Sequence, residues 1–513
     1  MPDVPTTSSA LPSLLPTPSR VALTAGTTPL PTVLRWSGPL EVVDAVTVLT
    51  ERLAPALDVV PAGDDPAFLS FDVDPSLPEE GYRIEICETV SVRAGSGQGA
   101  RWAVQTLLQL LPAWVYGPGP LDVTTLVLPR GVVEDAPRYS WRGAHLDPCR
   151  NFLPAEFILR FLDVMAMHKL NRLHLHLTDD QGWRLPVPGY PLLTEIGAWR
   201  PGTVRGHQPP PDELDCDDVA EHDGIRHGGA YTVEQLRAID ARATVLGITV
   251  VPEVDLPGHT ESVIAAYPEL SCSTRVEHPR TCFGVSSHHI NLTEPALDLC
   301  RAALDAVMEI FPDSPIHIGG DECPGTEWFE HEPTRQRLEE LGITTTHEAQ
   351  AWFEQQICAH VMGSGRRIVA WDEVLEAGAP QGVTVMVWRD AADVQRAADA
   401  GHDVIAAPVR HTYLDYASAL GPNEPLAIGG PLTMDDVAGL AQVLAGVDSP
   451  HLLGGQFQLW GEYLRTPASV EYAAFPRGCS IADQLWTGEP ARPESELAGQ
   501  TARLTAMGVN WRR

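Results

Sequence analysis

The sequence holds a single lysine, Lys169, among its 35 basic residues, and no apolar run in it reaches the roughly 18 residues that a membrane span needs. No membrane partner is expected. Positive charge is short throughout, with 68 acidic residues giving a formal net charge of -33. A surface this acidic repels phosphates, so nucleic acid is not an expected partner. The lack of lysine beside many arginines reads as genome composition and not as chemistry. No C-x-x-C pair occurs, so no structural zinc is expected. Nine cysteines, an odd number without a framework, suggest a reducing interior. In an exported protein, Cys272 and Cys282 would instead close a short loop. Met1 to Ser13 has no basic residue and no apolar core, so it does not read as a secretory signal, and a cytoplasmic location follows as the expectation.

What is present is globular: 44% hydrophobic and 20% charged residues over 513, enough for a large barrel and a smaller domain. Residues 1–18 are rich in Pro, Ser and Thr and read as a flexible tail. Residues 19–136 read as a small α/β domain without chemistry of its own. In it, Leu40–Leu53 and Gly97–Leu111 have helical period, Gly81–Ile86 alternates as a strand, and Thr89–Val92 is its hairpin partner.

After Pro137 apolar runs of a few residues alternate with helical stretches, the signature of repeated βα units. Strands are expected near Ser140–Leu146, Leu173–Leu177, Thr249–Val254, Pro315–Ile318, Arg367–Ala370, Thr384–Val387, Asp403–Ala406 and Leu452–Leu459. Intervening helices include Glu156–Met167, Val233–Leu246, Leu297–Phe311 and His347–Met362. The fold class is therefore α/β, a (β/α)8 TIM barrel over residues 137–513, closed by a C-terminal helix after Pro493.

Chemistry concentrates where such barrels keep it, at the C-terminal ends of the strands. Pro315-Ile-His-Ile-Gly-Gly-Asp-Glu322 is a buried strand running into two neighbouring carboxylates, Asp321 and Glu322. Adjacent acids in such a place repel, so one should be protonated or paired. Strand two ends in Thr178-Asp-Asp-Gln-Gly-Trp183 and strand three in Glu253-Val-Asp-Leu-Pro-Gly-His259. Strands five and six end at Trp371 and Trp388, strand seven leads to Tyr413 and Asp415, and strand eight to Trp460 and Glu462. Acids among tryptophan faces suit a carbohydrate, whose C–H faces stack on aromatics while its hydroxyls meet charged groups.

These motifs, with Arg142-Gly, His174-Leu-His-Leu-Thr-Asp-Asp-Gln-Gly-Trp183 and Trp371-Asp-Glu, resemble glycoside hydrolase family 20, the β-N-acetylhexosaminidases. The resemblance runs from about residue 14 to the end. It implies a retaining exo-hydrolase that removes terminal N-acetylglucosamine or N-acetylgalactosamine from glycans or chito-oligosaccharides. The substrate's own 2-acetamido group would be the nucleophile, outside the usual two-carboxylate scheme. On that resemblance Glu322 would be the acid–base, while Asp321 would orient the acetamido N–H and stabilise an oxazolinium. Tyr413 would bond the acetamido oxygen, and His259 with Asp179, or its neighbour Asp180, would form a relay behind Glu322. Trp371, Trp388 and Trp460 would wall the acetamide pocket, and Arg142, Asp415 and Glu462 would bind ring hydroxyls. The partner is thus a sugar with a terminal N-acetylhexosamine. No metal and no organic cofactor is implied.

Three departures from the family pattern stand out. The insertion 203–228 reads as a solvated excursion more than as a rim loop. Phe283 stands where tryptophan is expected, and Asp483 where glutamate is usual. Two other readings stay open: a metal-dependent amidohydrolase with His174, His176, His259 and Asp321 as ligands, and a sugar-binding protein without catalysis.

Overall fold

Strands covered by helices on one side and packed side chains on the other must be apolar on both faces, and the short aliphatic runs after Pro137 meet that demand. In the computed structural model, which describes residues 13–119, 122–207, 221–272, 276–376 and 378–513, eight of them close a barrel. In chain order these are Trp141–Leu146, Arg172–His176, Thr249–Glu253, Ile316–His317, Ile368–Trp371, Val383–Val387, Val404–Ala406 and Leu452–Phe457. Neighbours pair in parallel, and the eighth returns to the first with Gly454 opposite Trp141. Each expected strand is present to within two residues at both ends. The outer helices include Ala155–Met167, Val233–Leu246, Glu294–Ile310 and Thr346–Gly363. Thr232 and Thr345 start two of them with capping boxes to Gln235 and Glu348. No helix among the described residues is long and apolar enough to cross a membrane.

Ahead of the barrel lies a seven-stranded mixed sheet. Its order is Arg20–Pro29, Val127–Asp135, Tyr82–Ile86, Val90–Ala94, Leu69–Val73, Val33–Ser37 and Asp58–Pro61. Helices Val43–Leu53 and Gly97–Leu110 pack together beside it. The hairpin expected at 81–92 is the antiparallel pair Tyr82–Ile86 with Val90–Ala94.

Four expectations change. Residues 1–12 of the expected tail lie outside the described residues, but the rest of it is fastened. Leu14 and Leu15 are buried, and the Leu15 N–H donates to Gln109 Oε1 at 2.9 Å. The Thr17 hydroxyl donates to Asp483 at 2.8 Å, which gives that departure a structural role. Cys272 is a free, buried thiol, so the loop with Cys282 is not closed. Cys282 is nonetheless disulfide-bonded, at odds with the reducing interior expected from cysteine usage. Lys169 is more than a compositional residue: buried to 1%, its ammonium donates to Asp135 at 2.8 Å and to Tyr82 at 2.7 Å on the sheet.

The fourth change is Arg142. It sits at the start of the first barrel strand, and the substrate site belongs at the other end. Its guanidinium is fully buried against the N-terminal sheet, paired with Glu80 at 2.6 Å and donating to the carbonyls of Tyr139 and Lys169 at 2.7 and 2.9 Å. It lies 4.9 Å from the Trp486 ring and 5.6 Å from that of Trp102. Arg142 therefore joins sheet to barrel and binds no sugar. Arg142→Ala strands the Glu80 carboxylate and should lower stability by on the order of 3 kcal/mol. Denaturant unfolding measures that loss, and ligand affinity at the barrel mouth should stay unchanged.

Candidate active site

The fourth barrel strand is only two residues long because Gly319 and Gly320 turn the chain away from it. Both have left-handed φ, 69° and 100°, and a Cβ on Gly319 would stand 1.7 Å from Asp255 Oδ1. Only glycine fits there. Glu322 is also left-handed at φ 47°, as is His259 at 52° on the neighbouring loop. A non-glycine residue held so costs about 1–3 kcal/mol and clusters at functional sites. The two loops touch at Gly258, where a Cβ would meet the Asp321 carbonyl oxygen at 2.9 Å.

The turn delivers Asp321 and Glu322 to a cavity of ≈ 380 Å3 at the C-terminal mouth of the barrel. That is near the lower end of the ~300–1,000 Å3 range of small-molecule sites, a size suited to one sugar ring more than a chain. Trp371, Trp388, Tyr413, Asp415, Trp460 and Glu462 also line it. The strand ends thus converge as the sequence suggested. Trp371 is held by its indole N–H to Glu253 Oε1 at 2.9 Å, and Trp388 by its own to Glu373 at 3.1 Å. Tyr413 lies between Trp388 and Trp460, 6.3 Å from each ring.

Polar groups in the cavity are left without protein partners. Asp321 Oδ1, both Asp415 oxygens and Glu462 Oε2 are buried and unbonded. Burial pushes the Asp415 carboxyl well above the usual range, with the Glu462 charge adding to it. Buried acceptors without donors are costly, and a polyhydroxylated ligand would satisfy them.

Behind the pair stands His259. Its Nε2 is 3.7 Å from Asp321 and 3.6 Å from Glu322, and its Nδ1 is 3.2 Å from Asp180 and 3.4 Å from Asp179. Only the Asp180 contact has hydrogen-bond geometry. Burial disfavours a charged imidazole and is the largest single influence, but the Asp179 charge and the carboxylates of Asp180 and Glu322 together outweigh it and hold the His259 proton well above the ordinary histidine range. Asp179 is itself pinned by Arg150 at 2.7 Å and His176 at 2.8 Å. Burial raises the Asp321 carboxyl well above its ordinary value, and the nearby Asp255 adds to it against the pull of His259.

Of the site residues read from the sequence, Asp321, Glu322, Tyr413, Asp415, Glu462 and the three tryptophans line the cavity, and His259 with Asp179 lies one layer back. Arg142 does not belong. The arginine at the mouth is Arg150, which donates to Gln181 at 2.9 Å and lies 5.0 Å from the Trp460 ring. The sequence signal for it was position, since it follows the first strand's C-terminal end. His207, Phe283 and Tyr463 form the rim on one side, Ile428 also lining the mouth. The insertion 203–228 is partly outside the described residues, at 208–220. Of its described flanks, His207 lines the cavity and His222 bonds Thr281 at 2.9 Å, while 205–207, 221 and 224–226 are exposed.

His174, His317 and Glu253 bring ligand atoms within 4.8 Å of one another, as do Asp179, Asp180 and His259. The first set does not line the cavity and is tied within itself, with His174 at 3.1 Å and His317 at 2.9 Å from Glu253. His176 is likewise absent from the cavity lining and is taken up by Glu253 and Asp179, so both histidines belong to the polar interior of the barrel.

The chain matches the glycosyl hydrolase family 20 catalytic domain over residues 139–489 and domain 2 of the same family over residues 11–136. It is 34% identical over 481 residues to a β-hexosaminidase of Porphyromonas gingivalis, covering 90% of this chain but only 59% of that protein. A β-hexosaminidase of Vibrio furnissii is 32% identical over 499 residues, covering 94% of this chain and 77% of that one. Among solved structures, a family 20 exo-β-N-acetylglucosaminidase of Vibrio harveyi in complex with N-acetylglucosamine superposes with a TM-score of 0.83 at 27% identity, covering 100% and 80% of the two chains. The β-N-acetylhexosaminidase of Streptomyces coelicolor gives a TM-score of 0.80 at 27% identity, with 98% of each chain covered.

The glycine turn can be tested apart from any activity. Gly319→Ala should destabilise through both the left-handed φ, about 1–2 kcal/mol, and overpacking on Asp255, about 1–3 kcal/mol. Gly63→Ala, at φ 59° with open space around it, should show the first cost alone. Thermal or denaturant unfolding of the two variants checks the difference.

Proposed function

Because this chain belongs to glycoside hydrolase family 20, we propose that it is a retaining, exo-acting β-N-acetylhexosaminidase. Its substrates are glycans or chito-oligosaccharides ending in β-linked N-acetylglucosamine or N-acetylgalactosamine. The observation that carries this reading is the division between the two neighbouring acids. Asp321 is sunk among the tryptophans with Oδ1 unpartnered, while the Glu322 side chain, 36% exposed, stands at the mouth.

In the first step the acetamido oxygen attacks C1 as the glycosidic C–O bond breaks, and Glu322 gives its proton to the departing oxygen. Asp321 accepts the acetamido N–H and faces the positive charge of the oxazolinium. Tyr413 donates to the acetamido oxygen, and the walls of Trp371, Trp388 and Trp460 exclude water from it. In the second step water adds to C1 from the side the leaving group vacated. Glu322 takes the water's proton, and the C1–O bond to the acetamide breaks, so configuration is retained. Asp415, Glu462 and Arg150 meet the ring hydroxyls, and only a ring at the chain's end fits so closed a cavity. His259, backed by Asp179 and Asp180, holds the pair in place.

An aryl N-acetyl-β-glucosaminide should be hydrolysed while the matching aryl β-glucoside, which lacks the nucleophile, should be left nearly intact. Comparable rates on both would overturn the substrate-assisted scheme. Glu322→Gln and Asp321→Asn should each fold normally and lose at least about 10²-fold in rate, the scale of one acid–base or electrostatic group. EDTA should leave the rate unchanged. A sugar bound tightly but never cleaved would point to a binding protein instead.

A further inference from the structure

The left-handed turn that presents Glu322 is fastened at few points. The Trp371 N–H donates to the Gly319 carbonyl at 3.0 Å, and the Gly320 N–H to Asp255 Oδ1 at 3.2 Å. The next fastening is the last before the acids: Gln350 Nε2 donates to the Gly320 carbonyl at 2.8 Å. Among the described residues, the main chain of Asp321 and of Glu322 has no hydrogen-bond partner. Packing supports it on one side, where Gly258 of the His259 loop closely approaches the Asp321 carbonyl oxygen. Glu322 also borders a second cavity of ≈ 180 Å3, lined by Cys323, Gln350, Glu354 and Glu373 among others. With that space beside Glu322, the Gln350 amide is the hydrogen bond nearest to the acids along the main chain.

The Gln350 amide is itself oriented. Its other N–H goes to Glu354 Oε1 at 2.9 Å, one helical turn on in the helix Thr346–Gly363. An amide nitrogen carries two hydrogens and both neighbours here are acceptors, so the nitrogen must face the loop. Glu354 is buried to 4%, which leaves its carboxyl little freedom to swing away.

We infer that Gln350, aligned by Glu354, is a positioning residue that holds the Gly320 carbonyl and so sets Glu322 at proton-transfer distance from the glycosidic oxygen. The inference rests on Glu322 being the acid of the reaction. A displaced acid harms substrates in proportion to their need for protonation. A sugar leaving group needs a proton, whereas a dinitrophenolate leaves without one. A loss of general stability would lower both alike.

The test measures kcat/KM, which reports the first step, on an N-acetyl-β-glucosaminyl disaccharide and on the 2,4-dinitrophenyl glycoside. Wild type, Gln350→Ala, Glu354→Ala and Glu322→Gln are compared. Gln350→Ala should lose at least about tenfold on the disaccharide and less than about threefold on the dinitrophenyl substrate, since small displacements of reacting groups carry large rate effects. Glu354→Ala, which frees the amide to turn, should show the same pattern at smaller size, and it answers the question if Gln350→Ala fails to fold. Equal losses on the two substrates, or none, in both variants would overturn the positioning role. Glu322→Gln separates the two ideas. If it too lacks the leaving-group pattern, the assignment of the acid has failed and not the role of Gln350.

Discussion

A carboxylate kept from water beside other carboxylates resists ionisation, and the site is organised around that resistance. In the empty cavity, burial and the neighbouring Asp255 oppose a charge on Asp321. A positive charge developing on the acetamido group would reverse the balance. On the proposed reaction, the anion that burial disfavours would become favourable as the oxazolinium forms, so its interaction would be strongest where the barrier lies. A solvated aspartate would not discriminate in this way. On that proposal the tryptophan walls and the polar core would act together, the one keeping solvent out, the other fixing the acids' positions.

The support reaches well below the cavity. Glu253, fully buried in the third strand, receives the Trp371 indole N–H and pairs with His174 and His176 of the second strand and His317 of the fourth. His176 continues to Asp179, and Asp179 to Arg150 and His259. Wall, relay and acid are thus joined by charged or polar contacts through the barrel's interior, where an aliphatic layer would ordinarily pack. Such a network is stable only when its members are satisfied together, which ties the placement of one wall tryptophan to that of the relay.

The barrel was legible because each strand is a short aliphatic run whose period is insensitive to context, and the acids and tryptophans could be placed by the rule that barrel sites crown the strands' C-terminal ends. The same rule separates Arg142, second residue of its strand, from Arg150 beyond the strand's C-terminal end, where the Arg142-Gly motif points to the wrong one. Arg20–Pro29 was missed because its side chains face mainly solvent, leaving no alternation to read. Leu14 and Leu15 were lost in a Pro- and Ser-rich stretch, although two leucines need somewhere to be buried. The rim is legible only faintly, as the weaker reading of the insertion 203–228 and as the departure at Phe283. His207, Ile428 and Tyr463 come from separate loops, and only the closed barrel brings them to one mouth.

Lys169 fixes the sheet to the barrel from a position that solvent barely reaches. It is also the only lysine of the 513 residues. The folded surface of this chain therefore presents no ε-amino group. Acylating labels, aldehyde cross-linkers and supports that couple through lysine would find no ε-amine to react with until the two parts of the molecule come apart, so a label found on Lys169 would itself report their separation.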